Sequence, residues 1–448
     1  MDGIIFNDLS DFEIPARSAG AYRVASTARS HGYNVKVIDF ITYALTNNPS
    51  SLLDIVRKYT NKNTRLFGFS TTFLKYDKRI LYFVKLLNKY FPHVQIIFGG
   101  QSDETLEFKK HFGDIARQVV GFGENEFTSM LGTVPTTQFK DSAPMFGTDD
   151  AITENEVLPL ETSRGCRFKC KFCAYPLLGR NPNNLDYIRS HDSLYAELRH
   201  NYDTFGTTRY YMLCDTFNES HDKLSVIKKA IDKLGVNIEF SAYIRLDLLN
   251  AHPEQIDMLR DMGIKSAFFG IESLYDPAAK SIGKGMGRKK TITMLERLRD
   301  EWNDVHTLGS FIVGLPHDSV QTVTEWSDLI NDESFPLDSY KIHGLGMRNN
   351  YGYIQSEFEK KAEAYGYELH NDDEWSNEYW TSAEAKHFAD NIRDKLCPIN
   401  KVSSWQALGL TGYGIEWNAI RQIKEIDLSN DYFVSLKNNA IEQYYKRL

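Results

Sequence analysis

The chain has 448 residues, of which 42% are hydrophobic and 25% charged, with a formal net charge of −8 and a pI near 5.9. That length predicts two or three domains, and the acidic balance offers no general attraction for nucleic acid or an anionic membrane. No apolar run approaches the length of a membrane span. The acidic opening MDGIIFNDLSDFEIP does not read as a signal peptide. Five cysteines, three of them clustered, fit a reducing cytoplasm and a metal site and not a disulfide framework.

Residues 1–135 alternate short apolar runs with helical patterns. The predicted strands are GIIF (3–6), NVKVIDF (34–40), RLFGFS (65–70), VQIIFGG (94–100) and RQVVGFG (117–123). Between the third and fourth, Ile80, Phe83, Val84, Leu87 and Phe91 recur at helical spacing. This alternation predicts a doubly wound parallel sheet, with ligands bound outside the carboxyl ends of the strands. Those ends carry Ser70, Thr71 and Thr72, then Gly99, Gly100, Gln101 and Ser102, then GFGEN (121–125) with Gly121 and Glu124. Small residues there let backbone approach a bulky ligand. Residues 136–155, rich in Pro, Thr and Asp, read as a linker.

A second alternation fills 156–345. Its strands are VLPLETS, RYYMLC, NIEFSAYI, KSAFFGIE, HTLGSFIVG and SYKIHGL, separated by five amphipathic stretches. Six βα units predict a partial barrel of the TIM type, whose active face lies at the carboxyl ends of the strands. Polar residues gather there: Asp215, Asn218, Arg245, Glu272, His317 and Asp318. Each also has an ordinary reading. Asp215 and Asn218 suit a helix cap or turn, Arg245 suits a salt bridge to Asp247, and Glu272 suits a rim position. Residues 346–448 are predicted mainly helical, most simply a packed cap rich in Trp and Tyr.

Within this frame stands the run ETSRGCRFKCKFCAY, with Cys166, Cys170 and Cys173 spaced C-x3-C-x2-C. Three thiolates serve one metal centre and leave a coordination position open. A structural zinc site wants four protein ligands, and no fourth Cys or His lies nearby in sequence. From the residues alone, zinc, an iron–sulfur cluster and chance all stay open. Cys214 reads as a small core residue, and Cys397 has no cysteine neighbours.

The run SRGCRFKCKFC resembles the signature of the radical S-adenosylmethionine (SAM) superfamily. The resemblance extends to LCDTFNES, SAYIRLDLL, FFGIESLYDPAAKSIGKG and GSFIVGLPHDS. It implies a [4Fe-4S] cluster on the three cysteines, with SAM on the remaining iron and Phe172 near its adenine. It further implies SAM contacts from Asp215, Asn218, Arg245 and Glu272. Two positions depart from the pattern: Cys214 replaces an acidic residue, and His317-Asp318 replace Gly-Glu. The N-terminal segment, through HGYNVKVID, FGFSTT, PHVQIIFGG and VVGFGENEF, resembles the cobalamin-binding domain that precedes the barrel in one class of these enzymes. That implies cobalamin contacts from Ser70, Thr71, Thr72, Gly99, Gly100, Gln101, Gly121 and Glu124. The motif D-x-H-x-x-G is absent, so no histidine below cobalt is implied.

The resemblance implies cobalamin-dependent methylation of an unactivated carbon or phosphorus centre in a small molecule, with an external donor such as flavodoxin or ferredoxin. Two alternatives stand beside it: a radical rearrangement, oxidation or cyclisation without methyl transfer, and a non-catalytic cluster or cobalamin sensor. The expected location is the cytoplasm, with no membrane partner and no specific nucleic-acid signal.

Overall fold

The computed structural model describes residues 1–10, 14–100, 104–154, 156–173, 186–284, 286–347, 355–370, 374–396, 402–422 and 428–448. The predicted Gln101, Ser102 and Cys397 lie outside them. The chain forms two compact units. One comprises Met1–Leu160, Asp192–Thr207 and Leu428–Leu448; the other comprises Glu161–His191 and Thr208–Asp427.

In the first unit, β1 (Gly3–Phe6), β2 (Val35–Ile38), β3 (Leu66–Ser70), β4 (Gln95–Gly100) and β5 (Ala116–Val120) form one sheet in the order β2-β1-β3-β4-β5. Every pairing is parallel. β1 and β2 are buried throughout, as strands covered on both faces must be, which explains their unbroken apolar runs. The predicted doubly wound sheet is therefore present. The helix Lys78–Tyr90 buries Ile80, Phe83, Val84 and Leu87, and Asp77 caps it by accepting from the backbone N–H of Arg79 and Ile80. Its core is aromatic, with Phe6 against Phe69 at 4.8 Å and against Phe83 at 5.3 Å between ring centroids.

The helix Asp431–Arg447 belongs to this same core: Ile441, Tyr444 and Leu448 pack with β-sheet residues from the start of the chain. Tyr444 stands edge-on to Phe40 at 5.3 Å and beneath the Arg17 guanidinium at 4.8 Å. Its hydroxyl accepts from the Asp39 N–H at 2.9 Å, and the Tyr445 hydroxyl donates to the Asp39 carbonyl at 2.8 Å. Arg17 is wholly buried in turn, donating to Asp39, Tyr22 and Glu156 and to the carbonyls of Asp150 and Ala151. This network closes the carboxyl end of β2.

The second sheet has the order β11-β10-β9-β8-β7-β6, with β6 (Leu158–Leu160), β7 (Arg209–Met212), β8 (Glu239–Ile244), β9 (Ile264–Glu272), β10 (His306–Val313) and β11 (Ser339–Gly344). The pairings from β7 to β11 are parallel, as predicted for a partial barrel. On its convex face Phe269 stacks with Trp302 and Phe311 with Trp326. The helix Ser382–Lys395 packs on β10 and β11. The fit is close enough that a Cβ at Gly344 would lie 2.8 Å from the Lys386 nitrogen.

The helix Ser404–Thr411 packs on β8, β9 and β10, and its Trp405 meets the concave-face Tyr211 at 6.0 Å. This apolar helix fills part of the concavity. The C-terminal region is largely helical as expected, and it also holds a short strand pair, Glu368–Leu369 with Trp375–Ser376. Among the described residues no helix is long and apolar enough to cross a membrane.

Candidate functional site

The cysteine loop follows β6 and precedes residue 174. A left-handed Gly165 turns the chain into it, at φ 77°. Cys166 is buried beside Thr216, with Sγ 3.3 Å from Oγ1, and burial pushes its thiol pKa up. Cys173 donates its N–H to the Cys170 carbonyl at 3.1 Å, which folds the last two cysteines into one turn.

The loop hangs from a buried polar post. Glu219 accepts from the Arg167 N–H at 3.3 Å and from the Tyr187 hydroxyl at 2.8 Å. Lys223 lies 4.0 Å from Glu219, both side chains fully buried, and donates to the Thr216 carbonyl at 2.7 Å. Sequence reading misses this post, because Glu219 and Lys223 at i,i+4 look like a solvated helix pair. Only burial distinguishes them.

Arg245 connects the loop to β8. Its Nη1 lies 3.5 Å from the Cys170 sulfur, and its guanidinium covers the Phe168 ring at 4.0 Å. Nε and Nη2 donate to Asp247 at 2.9 and 2.5 Å, so the salt bridge to Asp247 and the place beside the cysteines coexist. Asn218 fixes the Arg245 backbone from both sides. Its Oδ1 accepts the Arg245 N–H at 2.9 Å, while its Nδ2 donates to the Arg245 carbonyl and to Gln255, each at 3.1 Å. Its amide is thereby occupied within the protein, and its action on the site runs through Arg245. Asp215 is half-buried, and burial lifts its carboxyl to about 6, with Lys223 opposing and Glu219 and Glu161 adding to the rise.

Glu272 ends β9 in a left-handed conformation, φ 69°. A register irregularity against β10, where Ser310 pairs Gly270 but Phe311 pairs Glu272, re-aims it. It meets Lys284 at 2.6 Å, and the same ammonium donates to the Gly270 carbonyl at 2.6 Å. Lys284 also stands 5.8 Å from the Phe172 ring centroid. The second unit thus brings together the cysteine loop, Phe172, Asp215, Asn218, Arg245 and Glu272 around the carboxyl ends of β7 to β9. Lys284, missed in the sequence, stands between Phe172 and Glu272.

His317, exposed, is left-handed at φ 69°. Asp318 is fully buried, both carboxylate oxygens lack a hydrogen-bond partner among the described residues, and burial raises its pKa to about 8. Its carbonyl accepts from the Trp380 indole at 2.9 Å.

In the first unit the ends of β3, β4 and β5 are stitched together. Thr71 donates its N–H and its hydroxyl to the Gly99 carbonyl, at 2.9 and 3.1 Å, and the Gly121 N–H reaches the Gly100 carbonyl at 3.2 Å. A Cβ at Gly100 would lie 2.9 Å from Thr71 Oγ1 and 3.0 Å from the Thr72 nitrogen, whereas one at Gly121 would meet nothing within 4 Å. Ser70 to Thr72, Gly99, Gly100 and Gly121 therefore share one edge. Glu124 opens the next helix, 4.0 Å from Arg23. Phe73 and Phe122, absent from the sequence reading, are 42% and 39% exposed on the segments following β3 and β5, an apolar flank to that edge.

Among the described residues, no three His, Cys, Asp or Glu side chains stand together as a metal-holding group. The donor chemistry nonetheless fits an iron–sulfur cluster: three thiols on one short loop, none in a disulfide, with an arginine beside Cys170.

Residues 160–330 match the family described as the Radical SAM superfamily. That segment is thus similar to radical SAM domains. Over 163 residues it is 28% identical to an uncharacterized methyltransferase of Pyrococcus horikoshii, a match covering 36% of this chain and 34% of that protein. The match spans only about a third of that curated relative. Among solved structures, the radical SAM methyltransferase TsrM of Kitasatospora setae, with cobalamin and a [4Fe-4S] cluster bound, superposes at a TM-score of 0.60 and 13% identity. It covers 81% of this chain and 75% of its own. OxsB, a cobalamin-dependent SAM radical enzyme with aqua-cobalamin and SAM bound, superposes at 0.59 and 17% identity, covering 82% of this chain and 56% of its own. The fold, a doubly wound sheet followed by a partial barrel, is shared with both.

Proposed function

We propose that this protein is a radical SAM enzyme that cleaves SAM at a [4Fe-4S] cluster on Cys166, Cys170 and Cys173. We further propose that it methylates an unactivated carbon or phosphorus centre of a small molecule with the help of cobalamin. When bound, the cluster supplies the electron that opens the sulfonium of SAM, and cobalamin supplies a carrier for the methyl group. The observation that carries the reading is the radical SAM match over residues 160–330, joined to a fold shared with two enzymes solved with cobalamin or aqua-cobalamin bound.

The chain's own residues bind and orient. Arg245, braced by Asn218 and Asp247, offers its remaining donor toward the carboxylate of SAM. Phe172 offers a face for the adenine. Glu272 is held by Lys284 and offers its other oxygen to a ribose hydroxyl. Ser70, Thr71, Thr72, Gly99, Gly100, Gln101, Gly121 and Glu124 provide the corrinoid seat, where small residues admit a flat macrocycle close to the backbone. Three cysteines in a chain without a disulfide framework suit work in the cytoplasm, with flavodoxin or ferredoxin as electron donor.

Anaerobic reconstitution with SAM and dithionite, with and without cobalamin, tests this. The expected products are 5′-deoxyadenosine and S-adenosylhomocysteine, with bound corrinoid visible by absorbance. An active preparation that forms no S-adenosylhomocysteine removes the methylation. Alanine at any of the three cysteines is expected to lower SAM cleavage by more than about 100-fold and to remove the cluster absorbance.

A further inference from the structure

The register of the second sheet defines its concave face. Tyr340 and Ile342 alternate with Lys341 and His343 along β11. Tyr340 packs with Phe311 and Phe335 on the convex side, so Lys341 and His343 face the concavity. The pairings extend this row by row. Tyr243 pairs Phe268, which pairs Leu308, which pairs Ser339. One layer nearer the carboxyl ends, Gly270 pairs Ser310, which pairs Lys341.

The lower layer is aromatic and open at its β8–β9 end, while Leu308 and Ser339 beyond it are buried. Tyr243 is 45% exposed although it lies within a central strand, and its ring meets Phe268 at 4.7 Å. In the upper layer Gly270 leaves room for the Lys284–Glu272 pair, since a Cβ there would lie 2.5 Å from the lysine nitrogen. Lys341, exposed, makes no hydrogen bond or ion pair among the described residues. His343 is half-buried, and its Nδ1 has no hydrogen-bond partner among the described residues. At the usual strand spacing, Lys341 stands about 14 Å along the sheet from Arg245.

We propose that Lys341 and His343, above the aromatic floor of Tyr243 and Phe268, form the substrate-recognition site, and that the substrate is a small molecule with a flat apolar body and a carboxylate. This rests on the function proposed above. A neutral substrate filling the concavity would take the Lys341 ammonium out of water without a counter-charge, which is costly, whereas a carboxylate pairs with it. His343 adds a hydrogen-bonding nitrogen beside that pair. The rings of Tyr243 and Phe268 take the apolar body, as in pockets that combine an apolar lining with a few fixed polar groups.

The test titrates the reconstituted full chain by calorimetry with phenylacetate and with phenylacetamide, which differ in charge but hardly in shape. The carboxylate is expected to bind about tenfold tighter than the amide. In Lys341→Met that preference should vanish, and in Tyr243→Ala both probes should weaken alike. Equal binding of the two probes, binding of neither, or a preference that survives Lys341→Met overturns the assignment. Substrate-free SAM cleavage under dithionite is read in parallel. Its loss in Lys341→Met alone would place the lysine on SAM and overturn the assignment. If the parent itself cleaves no SAM, the radical function fails, while the titrations still decide the recognition site.

Discussion

At the scale of single residues, the site depends on groups that face inward. Asn218 is the plainest case. Its amide is buried and satisfies both backbone groups of Arg245. Replacing it by leucine strands an N–H and a carbonyl in a dry place, at roughly 1–3 kcal/mol for each group left unmade. Asn218→Leu is therefore expected to lower the urea midpoint clearly and to raise KM for SAM, since Arg245 loses its brace. Gly100→Ala tests the other unit. Its Cβ has no room beside Thr71 and Thr72, so a loss of about 1–3 kcal/mol in stability is expected, along with weaker corrinoid uptake.

Asp318 gives a pH prediction. Its carboxyl is raised by burial from 3.8 to about 8, so between those values the folded chain holds a proton that the unfolded chain has lost. Stability contributed by the neutral acid is whole below the unfolded pKa and is lost as pH rises through the folded one. Asp318→Asn is neutral throughout. It should raise the unfolding free energy in urea relative to the parent at about pH 8, by on the order of 1–3 kcal/mol, and change it little near pH 4.

Among elements, the helix Asp431–Arg447 carries weight out of proportion to its place in the sequence. Its Tyr444 closes the core around Phe40 and Arg17. Tyr444→Ala removes the ring and leaves a cavity under a buried guanidinium, so a loss of about 3–5 kcal/mol is expected by thermal or urea unfolding. Tyr444→Phe keeps the ring and loses one hydrogen bond, with a cost nearer 1 kcal/mol. A similar magnitude for both variants would mean that packing contributes little there. The irregularity in β9 acts at the same scale, since a regular strand would send Glu272 elsewhere and break its contact with Lys284.

For the whole molecule, the first unit is assembled from three stretches of chain. A fragment ending at Leu160 lacks both Asp192–Thr207 and Leu428–Leu448 and so exposes apolar core. It is expected to be insoluble or to lack a cooperative unfolding transition by circular dichroism, and adding a peptide of residues 428–448 should recover part of it. A cooperative transition in the fragment alone would show that the C-terminal helix is dispensable.

The sequence by itself determined the two sheets, their parallel strands and the open cysteine triad. Each rests on local information: apolar runs of strand length, amphipathic helices between them, and three thiols within eight positions. Only the tertiary structure decided that the last helix completes the first core, that Glu219 and Lys223 are buried beneath the cysteine loop, that Lys284 joins Glu272, and that Lys341 faces the concavity. Those facts turn on which surfaces exclude water and on the register between strands, and both depend on residues far apart in the chain. A lysine or a glutamate reads as solvated until its neighbours are known.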